Sequence, residues 1–296
     1  MSDGTNIEWC DVTWPLVAGC RKRSPGCAHC WAIPMTWRLQ HNPLTPQYHD
    51  AVEKVIRDAQ GKRVQVRAGQ PGTLQWTGAI VPLESYLEWP RTKKWKTGSK
   101  VFVSNMADLF DQDVPDSFLE RAFRVMLEES QYTYQILTKE PGRLVDFAPR
   151  LSALVEEYGG SGTQWPAHLW FGVSIENPAM YWRILELIKV PAAIHFISGE
   201  PLLKLLANIP LEHIEWVIAG CESGPGARPM DEAWVEQLLQ DTKRAEAAFF
   251  YKQKLNEYGH KVSLPLLQGR SWAEFPQPTT VSAAHVTLVQ ANGQTL

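Results

Sequence analysis

Cys20, Cys27 and Cys30 sit together in the segment GCRKRSPGCAHCW, spaced C-x6-C-x2-C. Three soft thiolates on one short segment ask for a soft metal or an iron–sulfur cluster. The count narrows the chemistry. A closed structural zinc site uses four protein ligands. Three thiolates on a cubane cluster leave one iron open to another ligand. A fourth donor from Cys10 or His29 would instead close a zinc site, the alternative being a zinc-binding, nucleic-acid-associated protein.

The remaining composition bounds the setting. The chain has 296 residues and five cysteines, an odd number crowded towards one end, which is no disulfide framework. The start, MSDGTNIEW, lacks the basic and then apolar pattern of a signal peptide, and no apolar run reaches the ~20 residues of a membrane span. The expectation is a cytoplasmic protein with no membrane partner. Net charge is -3, which argues against a generic nucleic-acid coat protein, yet residues 1–100 hold 14 Lys+Arg against 8 Asp+Glu. Basic runs at Arg21-Lys22-Arg23, at Lys62-Arg63 with Arg67, and at Arg91 to Lys96 around Trp95 suit a phosphate-bearing polymer. A solvated surface explains them equally well. Most of the 13 tryptophans read as core or barrel-rim packing, and one or two could stack on a base.

These groups need a scaffold. From residue 100 onward, short apolar runs alternate with amphipathic stretches. Strands are expected at 100–104, 132–137, 169–173, 193–198, 215–219 and 248–252. They are apolar on both faces, as strands of a helix-covered parallel sheet are. Earlier strands could lie at 14–19 and near 78–83. Helices are expected at 116–129, 143–158, 179–189 and 232–245, with Asp116 and Asp231 as N-caps. The rhythm fits an α/β barrel or a doubly wound sheet. We read one domain over 1–277 and a tail or small appended element over 278–296.

In a parallel barrel, chemistry lies at the C-terminal ends of the strands. Those ends read Ser104-Asn105 to Asp108, Thr138-Lys139-Glu140, Ser174 to Asn177, Ser198-Gly199-Glu200-Pro201, Gly220-Cys221-Glu222 and Lys252-Gln253-Lys254. Each residue alone is ordinary capping chemistry. Polar groups at all six ends describe a ligand-filled mouth.

Residues 5–14 (TNIEWCDVTW), 19–31, 103–110 (VSNMADLF), 137–143 (LTKEPGR), 172–177 (GVSIEN), 199–203 (GEPLL) and 218–224 (IAGCESG) resemble, in order, the phage-associated three-cysteine protein family, itself similar to radical S-adenosylmethionine enzymes. The resemblance implies a partial or full parallel (β/α) barrel of the radical SAM type. It implies a 4Fe-4S cluster on Cys20, Cys27 and Cys30, S-adenosylmethionine as second cofactor, and an external electron donor. On this reading Ser104, Lys139, Ser174, Glu176, Ser198 and Glu200 contact the cofactor. Asn105, Asp108 and Cys221 lie on the substrate side, Cys221 as a possible hydrogen donor. The implied substrate is a modified nucleobase in DNA, with isomerisation of an amino-acid-substituted thymine as the reaction. The expected state is a monomer, located in the host cytoplasm if the chain is phage-encoded. Two departures stand out. The usual first cysteine gap is three residues and here it is six. The Gly-Glu-Pro turn, usually after an early strand, lies near residue 200, and residues 81–84 could take the early role.

Overall fold

The computed structural model describes residues 5–64, 72–224 and 226–277. The expected tail, 278–296, and Arg67 lie outside the described residues. The main sheet has eight strands: β1 (Val12–Trp14), β2 (Lys100–Val103), β3 (Thr133–Thr138), β4 (Leu169–Ser174), β5 (Ile194–Gly199), β6 (Trp216–Gly220), β7 (Ala248–Leu255) and β8 (Lys261–Ser263). They pair in chain order, β1 to β7 parallel and β8 antiparallel on β7. A strand order that never reverses is that of a barrel; a doubly wound sheet would reverse at a switch point. β1 and β8 remain as separate edges, so the barrel is partial.

Both faces of this sheet are dry, which is why its strands read as continuous apolar runs. Alternate residues Val101, Val103, Tyr134, Ile136, Phe171, Val173, Val217 and Phe249 face outward into one core shared with the helices. Phe123 stacks there on Phe147 and Phe171, with centroids 5.8 and 6.0 Å apart. The opposite residues, Phe102, Trp170, Phe196, Trp216, Ile218 and Phe250, fill the concave side. Trp9 enters from the N-terminal segment and plugs it, 4.4 Å from Phe102 and edge-on to Trp216 at 6.0 Å.

Helices α1 (Ala32–Gln40), α2 (Asp116–Glu128), α3 (Pro141–Glu157), α4 (Trp182–Leu187) and α5 (Glu232–Arg244) complete the α/β architecture. α2 forms because Phe118, Leu119, Ala122, Phe123 and Met126 fall on one helical face, all buried. Asp231 caps α5 as expected, its carboxylate accepting from Ala233 N–H at 3.0 Å. Asp116 does not cap α2. Pro115 holds that position, and Asp116, one residue inside, pairs with Arg143 and Arg150. The helix expected at 179–189 shortens to α4, entered through a 3-10 turn at Pro178–Met180 that Asn177 caps. The two early strand candidates are present as short strands, but they do not belong to the main sheet. Val17–Ala18 and Val81–Pro82 pair antiparallel with each other, outside the barrel, and the first barrel strand is β1.

The long connection from β1 to β2 carries the cysteine segment, α1 and a small sheet of Val52–Arg57 between Arg63–Val64 and Thr73–Trp76. Ala32 and Ile33 of α1 pack on Val52 and Trp76 of that sheet.

Candidate functional site at the mouth of the partial barrel

The C-terminal strand ends open into a cavity of about 600 Å³, within the range of small-molecule sites. Cys20, Cys27 and Cys30 line it together with residues from the ends of β2 to β7. A larger and more open cavity, about 1400 Å³, lies at the other end of the strands around Glu215, Arg244 and Glu274. It holds no thiol, and that end of a parallel barrel serves stability. The mouth is therefore the candidate site.

The cysteine segment crosses this mouth, tied down along its length. Gly19, with φ +83°, precedes the first thiol; a Cβ there would stand 1.9 Å from the Ala79 carbonyl oxygen, so no other residue fits. Arg21 pairs with Asp111 and Asp113 and donates to the Gly78 carbonyl at 3.0 Å. Arg23 reaches Asp111 at 3.0 Å and Glu140 at 2.8 Å. Asp111 is 2% exposed. Ser24 donates its hydroxyl to Glu176. Gly26 rests directly on that carboxylate, where a Cβ would come within 2.6 Å of Oε1. The arginines that the composition offered to a phosphate polymer thus hold the loop instead. Arg63 and Arg91 are likewise paired, with Glu53 and with Glu88 and Glu128.

The thiols share one electrostatic environment. Burial pushes the Cys20 pKa up, and the charges of Asp108, Cys30 and Cys27 add to the shift. Burial also raises Cys30, with Cys27 adding to the shift and Lys139 opposing it. Burial keeps Cys20 and Cys30 as thiols at neutral pH; a bound metal would supply the counter-charge that makes them thiolates. Among the described residues no three His, Cys, Asp or Glu side chains form a group that could hold a metal ion. The donor set itself fits an iron–sulfur cluster in kind: three soft ligands on one loop, facing one cavity.

Of the strand-end residues, Ser104, Asn105, Asp108, Lys139, Ser174, Ser198, Glu200 and Cys221 all line the cavity. Ser104 ends β2 in the left-handed region, φ +55°, and is 3% exposed with no hydrogen-bond partner for its hydroxyl. A strained, buried, unsatisfied serine hydroxyl has its hydrogen-bonding capacity left for a ligand. Asp108 is committed to the scaffold: it accepts from Thr138 Oγ1 at 2.7 Å, Lys139 N–H at 2.8 Å and Phe110 N–H at 3.0 Å. Glu176 is not among the cavity residues. It is fully buried beneath the loop, with Arg183 Nη1 at 3.2 Å and Lys139 Nζ at 3.6 Å. Glu200 precedes a cis peptide to Pro201. Its carboxylate accepts from Trp9 Nε1 at 3.3 Å and Ser198 Oγ at 3.2 Å, and Lys252 Nζ stands 2.9 Å away. Burial raises the Cys221 thiol to about 11, so it stays S–H at neutral pH.

The two candidate fourth ligands stand differently. Cys10 packs in the aromatic core beside Trp9, and burial lifts its thiol to about 12. His29 lines the cavity with the three thiols.

Sequence reasoning missed Trp9 and Lys252 as parts of the site. Lys252 was visible as a strand-end cation, but its pairing with Glu200 depends on β5 and β7 flanking β6. Nothing in the residue pattern marks Trp9 as an insertion beneath the mouth.

The model of a family described as a protein of unknown function, DUF5131, matches residues 4–276. No curated protein and no solved structure matches the chain.

Proposed function

The chain belongs to the DUF5131 family, and we propose that it is a radical S-adenosylmethionine enzyme with its cluster at the mouth of the partial barrel. One observation carries the reading: three thiols on a tethered loop share a cavity with the C-terminal ends of six parallel strands. Cys20, Cys27 and Cys30 would hold the 4Fe-4S cluster. When bound, the cluster and S-adenosylmethionine supply one-electron cleavage of a carbon–sulfur bond, and through it hydrogen abstraction from an unactivated carbon. The chain's own work is to bind, orient and exclude water.

The residues divide that work. Glu200 and Lys252 present opposite charges on one wall, 2.9 Å apart, suited to a ligand carrying both an ammonium and a carboxylate. Trp9 closes the floor and holds Glu200 through its indole N–H. Ser104 offers a buried hydroxyl. Cys221, just past the end of β6, keeps its proton and is the hydrogen-donor candidate.

Trp31 lines the cavity while remaining 42% exposed, beside the half-exposed Met35. A rim tryptophan with a free face suits a planar substrate, which supports a modified nucleobase. The isomerisation of an amino-acid-substituted thymine stays within this proposal. The polymer context has less support, because Arg21, Arg23, Arg63 and Arg91 are engaged internally. No helix among the described residues is long and apolar enough to cross a membrane.

The test is formation of 5′-deoxyadenosine from S-adenosylmethionine by reconstituted protein under a strong reductant. The proposal expects it from wild type and not from Cys27→Ala. Equal yields from the two proteins would end it. Mass spectrometry of nucleosides from treated DNA then identifies the substrate.

A further inference from the structure

We propose that Glu222 and Arg228 are positioning residues that latch the thiol loop shut from the β6 side. Pro25 opens the 3-10 turn Pro25–Cys27, which presents the second thiol. The Pro25 carbonyl accepts twice, from Ala28 N–H at 3.2 Å inside the turn and from Arg228 Nη2 at 2.9 Å. Arg228 is itself gripped by Glu222. Oε2 takes the Arg228 backbone N–H and Nε, both at 2.9 Å, and Oε1 takes Nη2. Glu222 is 6% exposed and follows Cys221 at the end of β6. One guanidinium therefore joins a barrel strand end to the turn that carries Cys27.

The geometry separates this latch from the other tethers. Arg21 and Arg23 anchor the beginning of the loop to Asp111, Asp113 and Glu140. Glu176 supports it from beneath through Ser24. The latch acts on the far side, at the turn itself. A planar fork aimed by a buried carboxylate fixes direction as well as distance, which a point charge does not.

The experiment uses metal-free full-length protein, so it stands apart from whether a cluster forms. Iodoacetamide labelling is followed at each cysteine by peptide mapping. In Glu222→Gln and in Arg228→Ala, Cys27 is expected to react about tenfold faster, the loss of one charge-assisted hydrogen bond. Cys10, in the aromatic core, keeps its wild-type rate. Millimolar ethylguanidine is expected to restore protection in Arg228→Ala only. An unchanged Cys27 rate in both variants would overturn the latch. So would faster labelling of all five cysteines together, or no rescue, since either outcome describes general loosening.

Discussion

Glu176 is the side chain on which the thiol loop rests. Its fully buried carboxylate meets Gly26, Ser24, Lys139 and Arg183. Two substitutions separate the space from the charge. Gly26→Ala forces the loop off its support and is expected to cost about 1–3 kcal/mol, as overpacking does. Glu176→Gln leaves Arg183, 1% exposed, without its counter-charge and is expected to cost about 3–5 kcal/mol. Urea unfolding measures both; equal and small losses would show that the loop is not seated there. The glycine was readable in the sequence as a turn residue. Its contact with Glu176, 150 positions away in the chain, was not, because only the closing of β4 against the loop creates it.

The end of β2 is tied to the end of β3 by Asp108 alone among the acidic candidates, through Thr138 and Lys139. Asp108→Ala would leave these buried donors without an acceptor and is expected to lower stability by about 3 kcal/mol. A neutral effect in thermal unfolding would return Asp108 to the substrate side. The six strands from residue 100 onward were readable because each is buried on both faces and each is followed by an amphipathic helix or turn. β1 was not, since Val12–Trp14 is three residues long and gains its place only by pairing with β2. The segments at 14–19 and 78–83 had strand-like residues, yet they satisfy each other in a ribbon beside the mouth. Likewise, the basic segment around Arg21 read as a surface for phosphate because its partners, Asp111 and Asp113, arrive from the loop after β2.

Across the whole molecule, the two ends of the strands differ in kind. The mouth holds the thiols and the paired Glu200 and Lys252, whereas at the opposite end the partly buried Glu215 accepts from the backbone N–H of the buried His195 at 2.6 Å. Burial pushes Glu215 up to about 7 from 4.5 and pushes His195 down to about 4 from 6.5. Between pH 4.5 and 6.5 the folded state thus holds more protons at Glu215 and fewer at His195 than the unfolded chain. The first makes stability fall as pH rises, the second makes it rise, and the slopes oppose. Glu215→Gln removes the first. Stability of that variant is expected to rise with pH across the window more steeply than that of wild type, by up to ~1.4 kcal/mol per unit. Parallel profiles would contradict the assignment. The mouth is where the three thiols would hold the proposed cluster. Anaerobic reconstitution with iron and sulfide, followed by metal and sulfide analysis, tests this most directly. Wild type is expected to bind about four irons per chain and to absorb at ~400 nm, both lost in Cys27→Ala; stoichiometric zinc without sulfide in wild type would contradict a cluster at this site.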